Sequence, residues 1–199
     1  MRTPRQILRR ALHAVAFQQA GYFTAAQALE VGYSYQAQKY HVDAGNWVRV
    51  DRALFRLPEW PTDPDDVFVR WTLWSDGRGT VSHDSALAVH GLSDVDPVRV
   101  HLTVPPGFGA VDEMVSLHVG DTPEDEREAR RGWAVTTPLR TLVDIASSDL
   151  SQEHVEGAVA DALRLGLITR RRLLRATADA AERSALRLER ALAKVGADG

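Results

Sequence analysis

The break at Gly32-Tyr33-Ser34 constrains the fold of this chain most tightly. On its N-terminal side, Thr24 precedes an apolar-periodic run and Gln27 follows three residues on, the signature of a capping box. Phe23 before the cap and Ala28 inside it can form a small hydrophobic staple. Gly32 can adopt the left-handed conformation that ends a helix, Ser34 can cap the next one, and Gly45 can end that in turn. Two helices joined by so short a break must cross steeply, which is helix-turn-helix geometry. After Gly45 the period changes to two. Val48 and Val50 alternate with Arg49, and Phe55 and Leu57 alternate with Arg56, which reads as a β-hairpin with an apolar face and an arginine face. The stretch 24–57 therefore reads as a winged helix-turn-helix.

The second helix of that motif is the candidate reader of DNA. Ala37, Tyr40 and Ala44 recur at helical spacing and are assigned to the core. Tyr35, Gln36, Gln38 and Lys39 then point outward from its first half, where a recognition helix meets base edges. Glutamine can pair with adenine, and lysine can reach guanine or phosphate. Arg49, Arg52 and Arg56 place three cations on the wing, near a phosphate backbone. The alternative is a protein–protein module in which the same polar residues form a solvated face.

Charge is distributed to match. The net charge is -3, yet residues 1–60 hold eight Lys/Arg against four acids, and the remainder holds 16 against 23. A positive end joined to a negative body suits a nucleic-acid module tethered to a part that need not touch the polyanion. There are no cysteines, which excludes a disulfide framework, zinc–thiolate sites and a thiol nucleophile. No apolar run is long enough to span a membrane, and the N-terminus lacks a signal-peptide core, so a cytoplasmic location is expected.

Residues 4–20 read as a first helix. Ile7, Leu8, Ala11, Leu12 and Val15 form its buried stripe, and Arg5, Arg9 and Arg10 lie on the other face, either solvated or touching phosphates. The segment 58–65, with three prolines, is the expected boundary between domains at 1–60 and 61–199. A helix then opens at Asp65-Asp66 with Val67, Trp71 and Trp74 as its core stripe. Ser82 is an N-cap for a helix ending at Gly91. Ser82, His83 and Asp84 are adjacent in sequence, which argues against their pointing at one another as a hydrolase triad. Residues 98–104 alternate as a strand, with Val98, Val100, Leu102 and Val104 on one side and His101 on the other. Residues 115–119 repeat the pattern with His118. Those two histidines are expected to form a cross-strand polar pair, since no spacing supplies further metal ligands. Residues 123–131 read as a charged helix and WAVTT as a strand. Pro138 opens a helix with Leu139, Leu142, Val143 and Ala146 inward and an Arg140–Asp144 pair. The rest, 151–195, is helical, with a basic run at Arg170-Arg171-Arg172 and Arg175. The end, GADG, is expected to fray. The fold class is thus α+β: an N-terminal winged helix-turn-helix domain, then a mixed α/β domain with a helical C-terminal part. No cofactor or metal site is expected.

Taken in order, the wing VRVDRALFRLP (48–58), VSHDSALAVHGL (81–92), VHLTVP (100–105), LHV (117–119) and TTPLRTLVDIA (136–146) resemble the AbiEi family, antitoxins of AbiE-type toxin–antitoxin pairs. The resemblance covers roughly residues 15–165. It implies a non-enzymatic antitoxin that binds inverted repeats in its own promoter and represses it; because one compact wing-helix unit buries too little surface for strong specificity alone, cooperative self-association of two copies on the DNA is expected. It also implies a C-terminal domain countering a nucleotidyltransferase-like toxin, with or without direct contact. By position, the DNA-facing set becomes the second helix from Ser34 to His41 together with Arg49, Arg52 and Arg56. Relatives commonly carry glycine in the wing turn where this chain has Ala53. Some carry a nuclease-like domain for which this chain shows no motif. A stand-alone winged-helix regulator with a ligand- or protein-sensing second domain is the alternative.

Overall fold

The computed structural model describes residues 4–197 and resolves two compact units, each described by itself. The first runs to Gly77 and includes Arg130–Trp133; the second comprises Arg78–Ala129 and the chain from Ala134 onward. The first unit thus extends beyond the proline-rich segment at 58–65. Two ion pairs carry it further: Arg56 to Asp66 at 2.8 Å and Arg70 to Asp51 at 3.2 Å.

The first unit begins with α1 (Pro4–Phe17), β1 (Tyr22–Thr24), α2 (Ala25–Val31) and α3 (Tyr35–Asp43). It continues with β2 (Val48–Asp51), β3 (Leu54–Arg56) and α4 (Asp66–Trp74). The expected capping box is present: the Gln27 amide donates to Thr24 Oγ1 at 3.1 Å and the Thr24 amide to Gln27 Oε1 at 2.9 Å. Gly32 closes α2 at φ 112°, and Ser34 Oγ caps α3 by accepting from the Ala37 amide at 3.2 Å. The three strands form an antiparallel sheet in the order β1-β3-β2. Phe23, Trp47, Phe55 and Leu57 fill the core against Leu12 and Ala16 of α1.

Three expectations are corrected here. The first helix stops at Phe17 because the chain turns back through Ala20 and Gly21, both at positive φ. Its inward stripe is Leu8, Leu12, Val15 and Ala16, while Ile7 is 56% exposed and Ala11 faces solvent. In α4 the buried apolar residues are Val69 and Trp71, with Val67 turned outward. The hairpin does not separate an apolar face from an arginine face. Its register pairs Val48 with Arg56 and Arg49 with Phe55, and paired residues share a face. The two arginines therefore lie on opposite sides.

The second unit contains β4 (Thr80–Val81), α5 (His83–His90), β5 (Val100–Val104) and β6 (Val115–Val119). A 3-10 turn (Glu124–Glu126), β7 (Arg127–Arg130) and β8 (Trp133–Thr136) follow. The helices α6 (Pro138–Ser147), α7 (Gln152–Arg164), α8 (Arg170–Asp179) and α9 (Glu182–Ala197) complete it. The sheet order is β6-β5-β4-β8-β7. β4 runs antiparallel to β5 and parallel to β8, and β5 runs parallel to β6. The core is mostly helical, built from Leu87, Leu142, Ile145, Val155, Val159, Leu173, Leu188 and their neighbours. Val98, read as strand and inward, lies before β5 and is 91% exposed.

Residues 123–131 form the turn and the edge strand β7, not a helix. The run has no apolar stripe with which a helix could dock. Turning at Gly132 (φ 84°) instead lets its backbone pair with β8. The Arg140–Asp144 pair forms at 2.7 Å, and Arg140 also binds Glu126. Arg170 donates to the Leu192 carbonyl at 3.1 Å, while Arg171, Arg172 and Arg175 are exposed. Of the GADG end, residues 198–199 lie outside the described residues.

Candidate functional site

The surface of α3 carries most of the side chains that the sequence singles out. Ser34, Tyr35, Gln36 and Lys39 are all exposed, Tyr35 at 69%. Lys39 rests against Asp43 at 2.7 Å, but its side chain stays 75% exposed and free to change partner. Gln38 is different. It is buried, and its Nε2 donates to the carbonyls of Ala25 and Tyr33, each at 3.1 Å. Those carbonyls lie at the start of α2 and in the turn before α3. The side chain is therefore the tie that sets the two helices against each other. Tyr40, assigned to the core by spacing, takes the outward place at 65% exposure. α3 offers little apolar contrast from which to choose a face: Ala37 does pack against the core, but Gln38 and Val42 turn inward in place of Tyr40.

His41 is half-buried and belongs to an aromatic cluster. Its ring stacks on Trp47 at 4.8 Å, and its Nδ1 lies 3.3 Å from Asn46 Nδ2. Burial first, and then the nearby Arg5, lower its pKa from the usual 6.5. The ring, packed edge-on against Tyr33 and stacked on Trp47, braces the end of α3.

The hairpin arginines divide by face. Arg49 and Arg52 are exposed, Arg49 lying over the Phe55 ring at 5.7 Å. Arg52 stands at the tip of the β2–β3 turn beside Ala53, whose φ of 57° is left-handed. That conformation favours glycine at this position. The Ala53 carbonyl accepts from the Ala25 amide at 2.8 Å, which anchors the wing turn to the start of α2. Arg56 is occupied. It pairs with Asp66, donates to the Pro61 carbonyl at 2.9 Å and lies over the Tyr22 ring, with its side chain 14% exposed. It clamps the chain after the hairpin and presents no free cation.

Two cations undervalued from sequence join this surface. Arg5 and Arg9 of α1 line one groove of about 820 Å³ together with Ser34, Gln36 and Tyr40 of α3. Their spacing of four puts them on one side of α1, a signal visible in the sequence. That α3 lies opposite is not. The groove combines those guanidinium groups, an amide, a hydroxyl and a phenol with apolar walls from Leu8, Leu12 and Trp47 and one acid, Glu59, so an anion would be held on its arginine side.

The second unit holds a chain of buried polar groups at the start of α5. Thr103 Oγ1 donates to Ser82 Oγ at 2.8 Å, and Ser82 Oγ lies 2.9 Å from His83 Nδ1. The adjacent serine and histidine do meet, contrary to the sequence argument, because His83 adopts φ 48° and folds its ring back. His83 stacks on His118 with 3.4 Å between ring centroids. His118 Nε2 is 3.2 Å from His101 Nδ1, the expected cross-strand pair, and His101 Nε2 faces Asp84 at 3.9 Å. Burial and then the neighbouring imidazoles lower His83 to about 3 and His118 to about 4. At neutral pH this is an uncharged hydrogen-bonded chain. Ser82 is wholly buried. Among the described residues no three His, Cys, Asp or Glu side chains converge as a metal site, and no helix is long and apolar enough to cross a membrane.

Comparison with known proteins adds two findings. The sequence profile of the AbiEi antitoxin C-terminal domain matches residues 79–194. The crystal structure of the RV2827C protein from Mycobacterium tuberculosis superposes with a TM-score of 0.63 at 15% identity, covering 96% of this chain and 78% of that one. No curated protein sequence matches the chain.

Proposed function

The chain belongs to the AbiEi antitoxin family, and from that premise we propose that it is an antitoxin that also represses its own promoter through the first unit. In this reading α2 and α3 form a helix-turn-helix and β2–β3 its wing. The observation that carries the reading is the coincidence of donors on one surface of that unit. Ser34, Tyr35, Gln36 and Lys39 are exposed along the first half of α3, with Arg5 and Arg9 across the groove. Arg49 and Arg52 stand free on the hairpin. Tyr35, Gln36 and Lys39 would select bases, and the arginines would grip phosphates. One such unit covers too little DNA for high specificity alone, so two copies on paired inverted repeats are part of the proposal.

The second unit carries the antitoxin action against a nucleotidyltransferase-like toxin in this reading, without catalysis. The burial of Ser82 and the neutral state of the three histidines support a structural part for that cluster.

A gel-shift on the chain's own upstream promoter tests the DNA half. Selective binding over scrambled DNA is expected. A log–log salt slope of about -3 to -4 is expected if Arg5, Arg9, Arg49 and Arg52 each meet a phosphate. Gln36→Ala with Lys39→Ala should abolish selectivity while leaving most of the salt-sensitive affinity. Binding with no preference for the promoter at any salt would sink the reading.

A further inference from the structure

The two edges of the five-stranded sheet are built differently. β7, at one edge, is Arg-Glu-Ala-Arg, and such charge keeps an edge from pairing with other strands. β6, at the other, is Val-Ser-Leu-His-Val and carries no permanent charge. The register with β5 fixes which of its amides are in use. The Val100 amide donates to the Met114 carbonyl and the Gly120 amide to the Val104 carbonyl, each at 3.0 Å. By alternation, Ser116 and His118 also direct their backbone groups to β5, and Val115, Leu117 and Val119 direct theirs outward. The Val115 amide is taken by the Asp112 carbonyl at 3.3 Å. Among the described residues, the amides of Leu117 and Val119 face the open edge.

We propose that β6 is a self-association edge, on which a second copy of this chain adds its own β6 antiparallel about a two-fold axis at Leu117. The occupant follows from the strand itself, because its pattern of Val, Leu and Val reads the same in both directions. With the axis at Leu117, each Leu117 amide meets the other copy's Leu117 carbonyl. Each Val119 amide meets the other copy's Val115 carbonyl, the acceptor whose own amide is already turned to Asp112. Val119 then lies against Val115 and Leu117 against Leu117 on one face, an apolar ladder, with Ser116 opposite His118 on the other. Val119 is 70% exposed in the single chain, and Met114, next to the strand, is 52% exposed. Pairing covers the first and shields the second. No like charges oppose each other, which is what β7 in the same position would produce. An isologous contact of this kind closes after two copies and cannot grow into a fibre. Five residues a side make a small interface, so the pairing is concentration-dependent. It strengthens when both copies are held nearby on one DNA. The inference goes beyond the operator reading and stands or falls separately.

The test is sedimentation of the full chain over a range of concentrations, with Val119→Lys on the edge and Val98→Lys as an exposed control away from it. A reversible dimer is expected for the parent chain and for Val98→Lys, with association weakened at least tenfold for Val119→Lys. Since the chain has no cysteine, Leu117→Cys gives a second measurement. Antiparallel hydrogen-bonded pairs hold Cα atoms about 5.5 Å apart, within disulfide reach, so oxidation should yield a covalent dimer. Val98→Cys should not. A parent chain that stays monomeric at high concentration overturns the proposal, and so does a dimer unchanged by Val119→Lys or Leu117→Cys chains that do not cross-link. A monomeric parent that still shifts its promoter removes this edge and leaves the DNA reading in place. A dimer that binds no DNA does the reverse.

Discussion

At the scale of single residues, the same amino acid does opposite jobs a few positions apart. Gln36 and Gln38 sit on one helix, yet one faces solvent and the other holds two backbone carbonyls. Gln38→Ala leaves those carbonyls without their donor and should destabilise the first unit by about 1–3 kcal/mol, seen as a lower denaturant midpoint with unchanged DNA selectivity in the folded fraction. The arginines split likewise. Arg56→Ala removes one partner of a buried pair and leaves Asp66 uncompensated, so a loss of about 3 kcal/mol in stability is expected. Arg52→Ala should leave stability within about 0.5 kcal/mol and lower the salt slope of DNA binding by about one. Equal effects of the two substitutions on the slope would show that Arg56 reaches phosphate. None of this division was legible in the sequence. Spacing identifies arginines on a hairpin, but their fates depend on Asp66 and Tyr22, which only the folded chain brings close.

Elements were more legible than faces, because what starts and ends a helix is local. Thr24 with Gln27, Gly32, Ser34, Gly91 and Thr137-Pro138 all act within a turn of their own position, and each marks a boundary that the structure contains. Failures fall where a non-local partner decides. The charged run at 123–131 pairs with β8, and α3 turns Gln38 inward to carbonyls in other segments. The wing turn shows a local compromise. Ala53 holds a left-handed φ that glycine adopts without strain, at the cost of a looser unfolded chain. Ala53→Gly should therefore be neutral to stabilising by up to about 1 kcal/mol. A thermal scan would detect the shift, and a clear drop in midpoint would mean that the alanine methyl packs usefully at the tip. At the end of α6 the partner is distant in sequence: Arg187 donates to the carbonyls of Ala146 and Ser148 at 3.2 and 2.7 Å. It is a C-terminal cap supplied from another helix.

For the molecule as a whole, the buried histidines couple stability to acidity. His83 and His118 are held at about 3 and about 4, whereas both titrate near 6.5 when unfolded. Below about pH 6.5 the unfolded chain binds protons that the folded chain refuses. Their contribution to stability is thus fully present above that pH and is lost as pH falls toward the folded values. Denaturant unfolding of the second unit should show a midpoint that drops between pH 7 and pH 5. His118→Gln, which keeps an N–H for His101, should flatten that dependence; an unchanged pH profile in the variant would remove His118 as its source.

The strand order of the larger sheet has a consequence for synthesis. β1, β3 and β2 are complete once residue 56 has been made, so the small sheet can close early on the ribosome. β4 is among the first strands of the large sheet to be made, yet its parallel neighbour is β8, with Val81 paired to Val135. Between those two residues the chain must keep β5 and β6 waiting with one side of β4 unfilled. A nascent chain therefore has a finished first sheet and an unfinished second one while residues 57–136 are made. The elements proposed to meet DNA can be shaped while the antitoxin half is still open, and that half joins only after Thr136 has left the exit tunnel.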